Sequence, residues 1–381
     1  MFKTKPFVSR RVFASCTKVS PLRSVFLCVA IYLGVFLLAF VGSEWSDWAL
    51  APVSFLLIAG LQSHLLILLH EGSHYLMHPN RKWNDRLTDF FCGIPLLILT
   101  KNYRAFHLAH HRFSGDPEKD PEVGFYKDQG YHYEKGSKVE TLVMPLKDLI
   151  GFNSMIFVKS LNRFLFEQKK ENGHDPFNLK DIVSNLFFWG VVWGAAIYFG
   201  WVIHLLVFWI IPYLTLGVFF LKLHGYGEHT GLEGPTELER TWIHEYNPVT
   251  NFFIYPINSG YHVEHHLYPS VPWYYMKRFR NELMKDYYYK KQTQAVTSTG
   301  YFFGENTIFG SMILGKGRYT DEEKFQSSYQ SRLKDLESIE QVKAKKSRFY
   351  RDEKDHSSSV RSFNFNRSPH QKSQDQKQPT A

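Results

Sequence analysis

Three stretches of this chain contain no Asp, Glu, Lys or Arg: residues 24–43, 48–70 and 182–221. A helix needs about 20 apolar residues to cross the hydrocarbon layer, so the first two runs each predict one span. The third is too long for a single crossing at about 1.5 Å per residue, and it divides near Gly200. The pattern therefore predicts an all-α integral membrane protein with four transmembrane helices in two hairpins, at about 24–43, 48–70, 182–199 and 201–221. Residues 90–100 are also uncharged but contain Gly93 and Pro95 and are too short to cross, which predicts a re-entrant or surface-lying segment. Residues 152–165 and Trp273 to Lys285 set apolar and aromatic positions against Lys and Arg at near-helical spacing, as helices lying in the interface do. Beyond about residue 320 the apolar rhythm is lost and a disordered polar tail is expected. The domains read from this pattern are a basic N-terminal segment (1–23), a membrane domain (24–319) and the tail (320–381).

Composition changes the picture little. A chain of 381 residues could hold two or three soluble domains, but 17% aromatic content and the uncharged runs place it in the membrane class. The net charge of +9 is spread among aromatics, which fits a membrane surface and not a nucleic-acid partner. Residues 1–23 carry Lys3, Lys5, Arg10, Arg11, Lys18 and Arg23 and no acid, whereas the loop after the first span carries only Glu44 and Asp47. By the positive-inside rule both termini, residues 71–181 and everything after Lys222 are expected on the cytoplasmic side. The first apolar run follows a basic stretch, as in a signal peptide, but it is of full spanning length and lacks a small-residue cleavage site, so it reads as a retained span. Cys16, Cys28 and Cys92 form no spaced pair, so neither a disulfide framework nor a thiolate zinc site is indicated.

The 18 histidines carry the chemistry. His70-Glu-Gly-Ser-His74 closes the second span, His107-Leu-Ala-His110-His111 follows the short apolar segment, and His262-Val-Glu-His265-His266 follows the second hairpin. Helical positions i, i+3 and i+4 share a face, so each box can aim its imidazoles at a common point. Crowded imidazoles repel one another when protonated and need partners when neutral, and a metal supplies those partners. Eight such ligands exceed one tetrahedral zinc, which predicts two metals with an open side; an all-nitrogen donor set suits Fe, Zn or Cu. Glu71, Asp116, Asp120, Glu228, Asn258 and Glu264 are placed to accept the second N–H of a bound imidazole, although Asp116-Pro117 and Asp120-Pro121 also read as turn starts. His78, followed by Pro79, is expected outside the site, and His132, His174, His244, His356 and His370 are expected on the surface. His64 and His204, inside spans, can be functional or satisfied on a backbone carbonyl. No Ser–His–Asp order, phosphate loop, dinucleotide fingerprint or His-Pro-Gly-Gly haem motif is present.

HEGSH at 70–74, HLAHH at 107–111 followed by RFSGDPEKDPE, and HVEHHLYPSVPW at 262–273 resemble the three boxes of the membrane fatty-acid desaturase and hydroxylase superfamily, over roughly residues 30–290. The resemblance implies a cytoplasmic helical cap holding two Fe ions that use O2 to remove hydrogens from an alkyl chain. It also implies a ninth ligand shortly after the fourth span, for which His229 fits best and His224 second. Some relatives carry an Asn four residues before that lone His; here the position is Gly225, which puts the second iron's coordination in question. The implied partners are a fatty-acyl lipid or acyl thioester and a separate electron donor of ferredoxin or cytochrome b5 type. Desaturation of a fatty-acyl chain is the first reading, with hydroxylation or ketolation of a lipid or carotenoid as the alternative. A divalent-metal transporter or sensor is a remote third, because transport sites sit near the bilayer midplane and these boxes lie at span ends and beyond.

Overall fold

The computed structural model describes residues 8–116, 118–131, 138–151, 154, 179–232, 237–301 and 307–308. Most of the helix expected at 152–165, the tail from 320 and His132, His174, His356 and His370 lie outside these residues. A short helix α1 (Arg10–Cys16) precedes the first of four helices long and apolar enough to cross a membrane. These four are α2 (Pro21–Trp45), α3 (Ala51–Ser73), α8 (Leu179–Tyr198) and α9 (Val202–His229). The break between α8 and α9 falls at Gly200, whose φ of 73° is the left-handed conformation that glycine adopts without strain. Within α9 the helix passes Pro212 through two π turns, Leu206–Ile210 and Tyr213–Gly217, which accommodate the missing N–H.

The fourth span departs from expectation in one respect. The uncharged run ends at Leu221, but α9 continues for two further turns to His229 and carries Lys222, His224 and Glu228 inside the protein. Lys222 is fully buried and donates to Asp148 Oδ1 at 2.6 Å, so the first charge after the apolar run is neutralised by a partner and does not end the helix.

Helix α3 is the central span. Leu65, Leu68 and Leu69 are buried against Cys28 and Ile31 of α2 and against Met77, Cys92, Leu96 and Tyr213. By contrast α8 leaves Leu186, Phe187, Val191 and Ile197 exposed, as expected of a helix whose surroundings are lipid. The segment 90–100 does not cross. Its carbonyls at Ile94, Pro95 and Leu96 accept from Trp189 Nε1 (3.1 Å), Trp209 Nε1 (3.4 Å) and Tyr213 Oη (2.7 Å), so backbone left outside a helix is satisfied by donors from the spans.

The remaining described helices are α4 (Arg81–Thr88), α5 (Thr100–Phe113), α6 (Pro121–Asp128), α7 (Lys138–Leu149), α10 (Glu237–Arg240), α11 (Pro248–Phe253), α12 (His262–Leu267), α13 (Trp273–Leu283) and α14 (Tyr287–Thr293). Of these, α10 to α14 gather around Trp242, Ile243, Tyr255, Val263, Phe279 and Tyr289. Helix α13 is amphipathic as its sequence predicts, burying Met276, Phe279 and Leu283 and exposing Lys277 and Arg278. Strand pairing among the described residues joins Ile243–His244 to Thr297–Ser298, with an isolated bridge between Gly300 and Thr307.

Candidate metal centre

The three boxes sit at helix ends that converge. His70 lies in the last turn of α3 with His74 as its C-cap, box two fills the last turn of α5, and box three forms most of α12. The structure brings nine imidazoles into two groups: His70, His74, His107, His111 and His265 in one, and His110, His229, His262 and His266 in the other. The expectation that each box aims at one point holds for His70 and His74 and is corrected for the other two boxes. Positions i and i+4 differ by about 40° around a helix, but i+3 and i+4 differ by about 100°. Accordingly His107 and His111 share the first group while His110 turns to the second, and His262 and His266 share the second while His265 turns to the first. Helices α5 and α12 thus serve both groups, and the His111 ring stacks on that of His266 with centroids 4.3 Å apart.

The second group shows what these rings require. His229 Nδ1 is 3.0 Å from the Arg240 carbonyl, which can only accept, so this nitrogen carries the proton. His110 Nδ1 lies 3.0 Å from both Asp120 oxygens, His262 Nδ1 lies 2.7 Å from Glu228 and His266 Nδ1 lies 3.2 Å from Glu237. All four rings are held with Nδ1 as donor, which turns inward each Nε2, the nitrogen that carries the lone pair in the neutral ring. Those Nε2 atoms nevertheless face one another: His262 to His266 at 2.9 Å, His262 to His229 at 3.2 Å and His110 to His266 at 3.3 Å. Lone pairs at that distance repel unless a cation lies between them. Two nitrogens each about 2.1 Å from one metal and about 90° apart stand about 3.0 Å from each other, so the donor set fits a bound metal. The first group repeats the spacing, with His107 Nε2 at 2.8 Å from His74 and 2.9 Å from His111, and His111 at 3.0 Å from His265.

Electrostatics agree with the geometry. Burial, joined by neighbouring imidazoles, holds His107, His111, His265 and His266 well below the ordinary histidine range, and burial with the Arg104 charge pushes His74 down to about 3. Neutral imidazole is the form that binds metal. His110 is the exception: burial opposes its charge, but Glu122 and Asp120 override burial and push it up to about 10.

Beside the histidines is a cavity of about 390 Å³. Its wall includes His70 and His107 of one group and His262 of the other, so it reaches both. Glu122, Tyr126 and Glu228 line it near the rings, while Leu66, Ile67 and Leu221, one to two turns back along the spans, and Leu186 of α8 make it apolar toward the bilayer.

Residues 46–298 match the fatty acid desaturase family. The chain belongs to this family. Its members are iron-dependent membrane oxidoreductases that carry out fatty acid desaturation or related oxidations. Among the relatives, the dihydrorhizobitoxine desaturase of Bradyrhizobium elkanii is 29% identical over 64% of this chain and 71% of its own length. A ferredoxin-dependent sn-1 acyl-lipid omega-3 desaturase of Synechocystis is 26% identical over 70% of this chain and 76% of its own length. A sphingolipid delta(4)-desaturase of Drosophila melanogaster is 27% identical over 64% and 69%.

In this desaturase-family chain the nine histidines singled out in the sequence all lie in the two groups, whereas the outer carboxylates divide. Asp120 and Glu228 contact imidazoles, and Glu71, which accepts from Trp273 N at 2.9 Å, stands 4.0 Å from His70 Nδ1. Asp116, Asn258 and Glu264 are engaged elsewhere. Asp116 caps a turn through Glu118 N and Lys119 N, Asn258 donates to the Trp273 carbonyl at 3.1 Å, and buried Glu264 pairs with Arg280. Nearness to a box in sequence was the criterion for these three; the helix turns Glu264 away from the face of box three, while Asp116 and Asn258 lie outside α5 and α12 altogether. Two acids that sequence reasoning missed are in contact instead: Glu237, and Glu122, whose Oε2 is 3.2 Å from His110 Nδ1. Glu122 had a local signal, since it follows Asp120-Pro121 at the start of a helix whose N-cap binds box two; Glu237 had none.

His224, the second choice for ninth ligand, has both nitrogens on protein groups, with Nδ1 2.7 Å from the Ile254 carbonyl and Nε2 3.0 Å from Glu228. His64 is satisfied on the Gly60 carbonyl at 2.9 Å and His204 pairs with Glu44 at 3.0 Å. His78 accepts from Asn80 N outside both groups. His244, expected on the surface, is buried: it stacks on Tyr255 with centroids 3.7 Å apart.

Proposed function

We propose that this protein desaturates a fatty-acyl chain with O2 at a di-iron centre, the two irons held by His70, His74, His107, His111 and His265 and by His110, His229, His262 and His266. The observation that carries this reading is the set of four imidazoles whose Nδ1 protons are committed outward while their Nε2 lone pairs converge. Bound there, iron supplies the activation of dioxygen that removal of hydrogen from an unactivated carbon requires. The chain's own groups do the rest. Asp120, Glu228, Glu237 and the Arg240 carbonyl fix the tautomer and angle of each ring. Leu66, Ile67 and Leu221 hold an alkyl chain against the rings and exclude water. One O2, two electrons, two protons and the two hydrogens taken from the chain leave as two waters. The electrons come from a separate protein, as the ferredoxin named for the Synechocystis relative suggests. Positive charge at the N-terminus supports a cytoplasmic position for the termini and the site.

Lipid profiling of a host with and without the chain tests the reaction. A product two mass units lighter than its precursor is expected, and a gain of oxygen or no change would contradict desaturation.

A further inference from the structure

We propose that the cavity takes a chain bearing a hydrogen-bond donor, a hydroxyl or an amine, close to the carbons that are oxidised, and that Glu122 recognises that donor; this rests on the oxidation assigned above. Glu122 is 8% exposed and lines the cavity. Its Oε2 meets His110 Nδ1, but that imidazole already has both oxygens of Asp120 at 3.0 Å, so orienting the ring does not call for a second carboxylate. The other oxygen, Oε1, has no hydrogen-bond donor on it among the described residues. It lies against Gly225, where an added Cβ would stand 2.9 Å from it and 2.2 Å from Tyr126 Oη. A side chain at 225 would displace the carboxylate and the phenol from these positions, so the residue that left the site in question in the sequence makes room for Glu122 on this wall.

In the open cavity water reaches this oxygen, but a plain methylene chain that fills the cavity covers it without supplying a donor, which is costly. A hydroxyl or ammonium group satisfies it. The apolar wall formed by Leu66, Ile67 and Leu186 takes the alkyl portion, so the fitting ligand is amphipathic, with its polar group on the side of the histidines. Sites built to hydrogen-bond a substrate group discriminate strongly against the analogue that lacks it.

The test is equilibrium binding to the full-length, iron-free protein in detergent, with two probes of equal chain length: a saturated long-chain amino diol, and a saturated fatty acid methyl ester, which offers acceptors only. The wild type is expected to prefer the amino diol by about 10- to 100-fold. Glu122→Leu should abolish that preference, Glu122→Gln should reduce it, and Asp120→Asn, on the same imidazole but outside the cavity wall, should preserve it. Equal affinity of the wild type for both probes would overturn the proposal, as would Asp120→Asn removing the preference as fully as Glu122→Leu. Where Glu122→Leu does not fold, an unchanged preference in Glu122→Gln overturns it. The two readings fail separately: selective binding with no oxidation in lipid profiling refutes the desaturation, whereas oxidation of plain acyl chains with equal binding refutes the role of Glu122.

Discussion

Replacing Glu228 by Gln tests how far the second histidine group depends on its outer acceptors. Glu228 is 5% exposed, and it faces His262 Nδ1 at 2.7 Å and His224 Nε2 at 3.0 Å. His224 Nδ1 already donates to the Ile254 carbonyl, so its Nε2 meets Glu228 only through a second proton, on the ring or on the carboxylate. Both rings meet the same oxygen, Oε1, so one charged acceptor serves two N–H donors. In Glu228→Gln that position is taken either by a neutral amide oxygen, which accepts less strongly, or by an NH2, which cannot accept at all. With the oxygen there the acceptor for His262 is weakened; with the NH2 there the tautomer that directs His262 Nε2 inward is lost. Changes of this kind lower metal affinity by about 10- to 100-fold, or about 1.4–2.7 kcal/mol. Iron titration of metal-free Glu228→Gln, followed by metal analysis after desalting, should show one iron per chain lost at lower chelator concentration than in the wild type. Two irons retained with unchanged affinity would refute the argument that these acceptors hold the rings.

Three other outcomes are expected. His229→Ala removes a converging lone pair and should lose about one iron per chain, whereas His224→Ala, whose nitrogens are both on protein groups, should keep its iron; the reverse pattern in metal analysis would exchange their roles. Lys222→Met leaves fully buried Asp148 without its cation and with the Tyr131 hydroxyl as its remaining donor, so it should cost about 3–5 kcal/mol in thermal unfolding, and adding Asp148→Leu should recover part of it. Reporter fusions at Glu44 and Gly200 should lie across the membrane from fusions at the termini, and a cytoplasmic reporter at Gly200 would break the hairpin assignment.

What the sequence revealed and what it hid follow from the range of the forces involved. The spans were legible because the hydrocarbon layer demands a minimum apolar length, and residues 24–43 and 48–70 meet it without a single charge. The boxes were legible because ligand spacing on a helix is local. The sharing of boxes two and three between the two groups was not, since it depends on the angle at which α5 and α12 face each other. Glu237 reaches His266 through a fold that joins distant segments, and no short pattern marks it. Glu264 misled for the opposite reason: it neighbours His265 in sequence but lies about 100° around the helix, where Arg280 takes it. His244 had nothing beside it in sequence to betray Tyr255, the residue on which it stacks.

The central claim, that nine histidines hold two irons, is tested most directly by counting metal. Full-length protein purified with iron supplied should carry about two irons per chain, because nine imidazoles exceed what one metal can coordinate. A single tightly held zinc, with iron remaining substoichiometric after reconstitution, would contradict it.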